Sequence, residues 1–505
     1  MPGIPTSKAC QRCKARKIKC DQNWPTCTPC ELKNFECPGA SSLIKFVDAG
    51  PQSHRRVPSR MASPTHTSSS GGGSPAEKEE GSMSSEKGSY TVMRPSSPSV
   101  PRTKPTTVAD RVASRLVAQL ESCPELVKVF QMGYLKYLPP LLSRSACLRD
   151  TVSMFCTAWA GYRRRQPVGD FMSMEAYGKA LRSLRRCLDG DKTCSMETLA
   201  AITLLERSEA LFDRERKPFQ ISHTEGILWL IQRQGPPNQE DKLYSGLIFD
   251  NMAGLITYWF AKDEHNFLVD SPWREAIEDT AAEFLEPAIK QSAMAAVSFT
   301  STLYARWPRY LRSAQTIYTD PIPSQELQIF TIAFIDELNE AEVEARFIFE
   351  DVMSNAFELG EIRQLPDSAA ITGQSYHLTA VFFGQSLLEL LSLRLALLRM
   401  LYELTVLRDP AQALVYGAEY RALCLETWKF IPFVYGLDPL IATWSFTPFT
   451  LAFEGAEGFE REYLMKMIIE VDSYRQSFPR DHELLASTLV HHAMMLTGRL
   501  PMALN

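Results

Sequence analysis

Six cysteines at the N-terminus carry the chemistry that is easiest to read. Cys10, Cys13, Cys20, Cys27, Cys30 and Cys37 follow the spacing C-x2-C-x6-C-x6-C-x2-C-x6-C. The run is a tandem repeat of C-x2-C-x6-C. Cysteine pairs two residues apart suit the coordination sphere of one metal ion. Two tetrahedral zinc ions need eight ligand positions in all. Six thiolates fill eight positions only if two of them bridge both ions. The internal symmetry requires the bridging pair to be equivalent residues, so Cys10 with Cys27, Cys13 with Cys30, or Cys20 with Cys37. Spacing does not choose among the three. A disulfide knot is the competing reading of six close cysteines. The N-terminal residues MPGIPTSKAC lack the apolar core of a secretory signal, which argues for a reducing compartment and a metal. With so little apolar content, the segment is expected to fold only when metal binds.

The charges separate the two halves of this repeat. Residues 10–20 contain Arg12, Lys14, Arg16, Lys17 and Lys19 and no acid, whereas Lys33 in the second half faces Glu31 and Glu36. The first half is therefore expected to meet a polyanion, the second to complete the metal cluster. A short helix starting near Cys13 would put Lys14, Arg16 and Lys17 at one tip, able to enter a groove of duplex DNA. Lys and Arg suit guanine O6 and N7 there. The remaining bases suit phosphates, which fix position without reading sequence.

Residues 10–37, including the run CQRCKARKIKC, resemble the fungal binuclear zinc cluster DNA-binding domain. The resemblance implies two zinc ions bridged by Cys10 and Cys27. It also implies a base-reading role for Lys17, with Arg16 beside it and Arg12, Lys14 and Lys19 on phosphates. Pro25 fits the family's loop between the halves. Family members read CGG-type triplets in the major groove, and the same is implied here. Many members continue into a dimerising coiled coil. Here Leu43, Ile44, Phe46 and Val47 are followed at once by Gly50 and Pro51, with no heptad. Arg55, Arg56 and Arg60 form a further basic arm, suited to phosphate contact or nuclear import.

The rest of the chain divides by composition. Residues 61–100 hold 12 serines with Gly71, Gly72 and Gly73, too polar to offset the entropy of ordering. Residues 41–107 are read as a disordered linker, with Ser-Pro pairs at Ser63, Ser74 and Ser97. From residue 108 the chain is apolar and helix-periodic, so the fold class expected is all-α: a zinc module at 1–40, the linker, and a large helical domain at 108–505. Stretches at about 125–138, 141–163, 193–211, 240–262, 328–357, 376–407 and 459–475 carry the pattern. Ser195 is a plausible helix cap ahead of Thr198, Leu199, Ile202, Leu205 and Leu211. No series of alternating strands is evident. The stretches from Tyr177 to Leu181, Leu199 to Glu206, His223 to Gly226 and Arg233 to Pro236 resemble the fungal-specific transcription factor regulatory domain. In the helical block these residues read as core, with Gly226 allowing close packing and Gly235 ending a helix.

No catalytic motif is present in the helical block, and the protein is expected not to be an enzyme. Cys123, Cys147, Cys156, Cys187, Cys194 and Cys424 show no ligand spacing and are expected in the core. Residues 335–362 hold nine acids and one base, Arg346; the solvated face of an amphipathic helix is the reading preferred over an activation surface. The most apolar region, Leu387–Leu407, is broken by Glu389, Arg394, Arg399 and Glu403, which argues against a membrane span.

The 505-residue chain has a net charge of −5, but residues 1–60 carry 11 bases and 4 acids against 43 and 55 in the remainder. A basic head on an acidic body is expected to leave DNA contact to the head. Together these features point to a nuclear, zinc-dependent regulator of transcription by RNA polymerase II. Its expected partners are double-stranded DNA, transcription co-regulators and a second copy paired through the helical block. The competing readings are an enzyme or partner-binding helical domain that the zinc module brings to DNA, and a sequence-independent nucleic-acid or zinc-handling protein.

Overall fold

The structure, a computed structural model, describes residues 9–21, 27–33, 35, 37, 107–166, 171–189, 194–213, 223–238, 240–261, 265–320, 324–378, 380–406 and 408–500. The linker at 41–106 with its Ser-Pro pairs, the basic arm, Pro25 and the Lys14 side chain lie outside the described residues.

Beyond residue 107 the described residues are almost entirely helical, as the periodicity predicts. Side-chain caps start many of the helices. Thr107 accepts from the Asp110 amide while Asp110 accepts from the Thr107 amide, a reciprocal capping box at the head of Val108–Ser122. Ser145, Ser173, Ser324, Asp409 and Asp481 cap other helices with a single bond, each side chain accepting from a backbone N–H of the first turn. Ser195 caps Met196–Phe212 as expected, its Oγ 3.2 Å from the Thr198 amide nitrogen. Gly235 ends Thr224–Gln234 at φ 79°, a conformation that costs glycine little. A Cβ at Gly226 would meet Ile202 Cδ1 at 3.4 Å, an ordinary contact, so the packing of that helix does not require glycine there as expected.

At the centre lies Val381–Thr405, buried over most of its circumference. It packs against Lys290–Thr319, Gln325–Glu358, Pro410–Trp428 and Thr447–Ala452. By length and composition this helix could cross a membrane, but 78% of its most apolar window is buried inside the protein. A second set of helices, Val108–Ser122, Ala146–Arg163, Met174–Leu188 and Met196–Phe212, packs together and joins the first through Lys242–Ala261. One hydrophobic core runs through both sets. Phe130, Phe155, Trp159, Tyr162 and Phe212 interlock in it with ring centroids 5.1–6.4 Å apart.

Three expectations are corrected. The stretch 125–138 is not one helix but Glu125–Lys128 followed by a 3-10 turn, Gly133–Tyr137. Residues 376–378 belong to a strand: Ile362–Pro366 and Gln374–Leu378 form an antiparallel hairpin in the register Ile362 to Leu378. Tyr376 holds it down, edge-on to Phe430 at 5.0 Å and with its amide on the Lys429 carbonyl at 2.8 Å. Cys194 is exposed and Cys187 half-buried; only Cys123, Cys147, Cys156 and Cys424 are core.

Gly384 marks the tightest packing of the central helix. A Cβ there would lie 2.3 Å from Phe433 Cζ. Gly384→Ala is expected to destabilise the protein by about 1–3 kcal/mol, because the gain in helix propensity is smaller than the strain of overpacking. Urea unfolding would read this as an earlier midpoint at unchanged slope.

Candidate metal centre and nucleic-acid interface

The N-terminal module is built from two short helices, Gln11–Ala15 and Thr28–Glu31, each opened by a cysteine. Cys10 precedes the first, and its Sγ accepts from the Cys13 amide at 3.3 Å. Cys27 caps the second, where the Thr28 amide also reaches the Asp21 carboxylate at 3.2 Å. The buried residues of the module are Ala9 and five cysteines, with Cys37 packed alongside. No aliphatic or aromatic core exists among its described residues, so the sulfur cluster must supply the cohesion.

All six thiols are free rather than paired in disulfides. Their sulfurs fall into two groups of four: Cys10, Cys13, Cys20 and Cys27, and Cys10, Cys27, Cys30 and Cys37, each with all sulfurs within 4.8 Å. The groups share Cys10 and Cys27, whose sulfurs are 3.8 Å apart. Cys10 to Cys30 is 3.8 Å, Cys13 to Cys27 3.7 Å and Cys27 to Cys37 3.7 Å. A tetrahedron with zinc–sulfur bonds of 2.3 Å has edges of roughly 3.8 Å. The donor set therefore fits two zinc ions in size, number and chemistry. Burial, and then hydrogen bonding with neighbouring thiols, raises the Cys13 thiol to about 12, and burial raises Cys27 and Cys30 as well. A cation must displace these protons before the sulfurs can serve as thiolates.

The basic residues surround this cluster unequally. The first helix ends at Ala15, and Lys17 follows in the left-handed region at φ 54°, with the Ile18 amide closing onto the Cys13 carbonyl at 3.1 Å. The helix thus starts before Cys13, and Arg16 and Lys17 sit in the turn beyond its C-terminal end rather than on a helical tip. The tight loop to Cys20 forces this early ending. Arg12, Arg16, Lys17 and Lys19 are all exposed.

Phe35 was not singled out from sequence. The Arg12 and Arg16 guanidinium carbons lie 4.5 and 5.1 Å from its ring centroid. The ring from the second half thereby orients two cations of the first. The available signal was that Phe35 and Trp24 are the two aromatics within the cysteine repeat.

Residues 8–43 match the fungal Zn(2)-Cys(6) binuclear cluster domain. That domain holds two zinc ions and binds DNA. The chain is also 37% identical over 73 residues to an uncharacterized transcriptional regulatory protein of Saccharomyces cerevisiae. This match covers 14% of the chain and 8% of the yeast protein's length. No solved structure matches the chain.

The helical block brings together Tyr177 and His223, which both bond Glu209 Oε1 at 2.8 Å. Glu206, Glu209 and His223 place their ligand atoms within 4.8 Å of one another. Sequence reading treated the histidines as scattered, since 14 residues and a helix end separate Glu209 from His223. Here the contact joins two helices of the core.

Proposed function

We propose that this chain is a nuclear, sequence-specific regulator of RNA polymerase II transcription, reading CGG-like triplets in the major groove. The observation that carries the reading is one arrangement: two four-sulfur groups sharing Cys10 and Cys27, set beside an exposed basic surface, inside the matched domain. In this reading Cys10 and Cys27 bridge the two ions, and Cys13, Cys20, Cys30 and Cys37 complete their shells. Lys17 reads the bases. Arg16 assists it, and Arg12, Lys14 and Lys19 hold phosphates. The linker at 41–107 tethers the module to a helical regulatory body at 108–505. That body recruits co-regulators and pairs two copies, because one small module buries too little surface for tight specific binding alone. The name of the yeast relative supports the transcriptional reading.

A mobility shift with the full-length, zinc-loaded chain tests this. CGG-containing duplex should be retarded at lower protein concentration than scrambled duplex, and two spaced triplets better than one. A chelator should abolish the shift. Equal retardation of triplet and scrambled duplex overturns specific reading, and equal affinity for one and two triplets overturns pairing.

Lys17→Ala separates reading from holding. It is expected to cost about 1–3 kcal/mol on the CGG duplex and to flatten base preference. Alanine meets much the same left-handed backbone cost as lysine, so local folding is preserved. Lys19→Ala should instead weaken all duplexes alike and reduce the salt slope by about one. Indistinguishable behaviour of the two variants would refute the division of roles.

A further inference from the structure

Four charges interrupt the apolar central helix Val381–Thr405, and three of them are matched. Arg394 pairs with Glu342 at 2.7 Å. Arg399 pairs with Glu403 at 2.6 Å and with Glu454 at 3.6 Å. Glu389 has no hydrogen bond or ion pair among the described residues. Its side chain keeps open surface because it lines a cavity of about 480 Å³ that is partly open to solvent, while the surrounding protein still desolvates it. Burial with no cation nearby raises its carboxyl to about 7. An isolated buried acid is costly, and helices seldom keep one without a partner.

The cavity is built by register. On the central helix, Phe382, Gln385, Ser386, Glu389 and Ser392 form one stripe at helical spacing. Val297, Thr300, Ser301 and Tyr304 make a matching stripe on Lys290–Thr319, and Thr203, Glu206, Arg207 and Ala210 one on Met196–Phe212. Helices that present polar stripes inward are not packing against one another there. The volume falls within the usual range for small-molecule sites.

Arg207 is committed: it bonds the Phe130 carbonyl at 2.8 Å, pairs with Asp250 at 3.3 Å and lies 4.2 Å over the Trp444 ring. Arg475 donates to the Asp213 carbonyl at 3.3 Å. Buried polar atoms of the lining without a hydrogen-bond partner include Asp472 Oδ1, the Thr300 and Ser445 hydroxyls and Arg207 Nε. Phe249 and Phe382, 6.1 Å apart, provide an apolar wall at the start of the stripe, about two helical turns before Glu389.

We infer that this cavity is a binding site for a small organic amine, whose cationic nitrogen is held by Glu389 and whose apolar body lies against Phe249 and Phe382. A charge-assisted bond to an otherwise unpaired carboxylate is among the strongest polar contacts available. The inference stands apart from DNA recognition and is tested without DNA.

The test is calorimetric titration of the full-length, zinc-loaded protein with tryptamine and phenethylamine, and with tryptophol as the neutral analogue. The amines should bind saturably at one site and the alcohol at least about tenfold more weakly. Glu389→Gln should remove the amine preference, leaving amine and alcohol alike, while the unliganded protein melts no earlier than wild type. Should Glu389→Gln fail to fold, Glu389→Asp keeps the charge but retracts it, and should weaken amine binding while retaining the preference over alcohol. Absence of saturable amine binding at millimolar concentration, or undiminished binding by Glu389→Gln, overturns the inference and leaves a water-filled structural cavity.

Discussion

Cys27→Ala should release both zinc ions and abolish DNA binding. The sulfur of Cys27 belongs to each four-sulfur group, and so does that of Cys10. Removing either leaves three thiols in both groups. A structural zinc supplies about 10–16 kcal/mol of apparent binding free energy to a small metal-built domain. The module has no apolar core to replace it. Cys37→Ala is the control. It belongs to one group only, so the set Cys10, Cys13, Cys20 and Cys27 remains whole. Zinc content by elemental analysis after gel filtration should fall to near zero for Cys27→Ala and to a single ion for Cys37→Ala. A Cys27→Ala protein that keeps one tightly held zinc would exclude the shared ligand. The helical body, which has its own core, should keep its far-ultraviolet circular dichroism in both variants.

What could be read from the chain alone follows the range of the interactions. The cysteine spacing exposed the metal centre because ligand geometry is local, with partners 3 to 27 residues apart. Spacing alone left three equivalent pairs open; the resemblance implied Cys10 and Cys27, and these are the two residues that both four-sulfur groups share. The helical class was legible because burial repeats every three to four residues. Helix Lys290–Thr319 nevertheless escaped notice. Its stripe mixes Thr300, Ser301 and Tyr304 with apolar residues because it faces a polar cavity, which blunts the hydrophobic period. The hairpin at 362–378 was lost for the opposite reason. Tyr376 is apolar enough to extend the helical pattern of the following segment, and only its pairing opposite Gln364 shows it is a strand residue. Charges were the hardest to interpret. Glu389, Arg394, Arg399 and Glu403 were legible as interruptions of an apolar run, and Arg399 with Glu403 is a local pair, but the partner of Arg394 and the second partner of Arg399, Glu342 and Glu454, lie some 50 residues away in each direction.

Arg394→Met should be the most destabilising single change in the helical body, at about 3–5 kcal/mol. Arg394 and Glu342 are nearly inaccessible, with side-chain exposures of 8% and 3%. Both Nε and Nη2 of Arg394 donate to Glu342 Oε1, at 3.2 and 2.7 Å. The acidic run at 335–362 is therefore not wholly a solvated face, because one of its acids points into the core. Burial raises the Glu342 carboxyl, and Arg394 is the main group opposing that shift. Without Arg394 the acid keeps only Arg346, 3.7 Å away and itself one-third exposed. Its folded pKa would then rise further above the unfolded value of about 4.3. Between those two values the folded state binds more protons than the unfolded one, so stability must fall as pH rises through the interval. Arg394→Met should thus lose more stability at pH 8 than at pH 5. The double variant Glu342→Leu, Arg394→Met removes the stranded charge as well as its partner. It should regain most of the loss and show no such pH dependence, since replacing a buried pair by apolar side chains of similar size is close to neutral. Guanidinium unfolding of the wild type and the two variants at both pH values measures this. A double variant no more stable than Arg394→Met would mean that the arginine acts through its packing over Phe349, 5.5 Å from the ring centroid, and not through its charge.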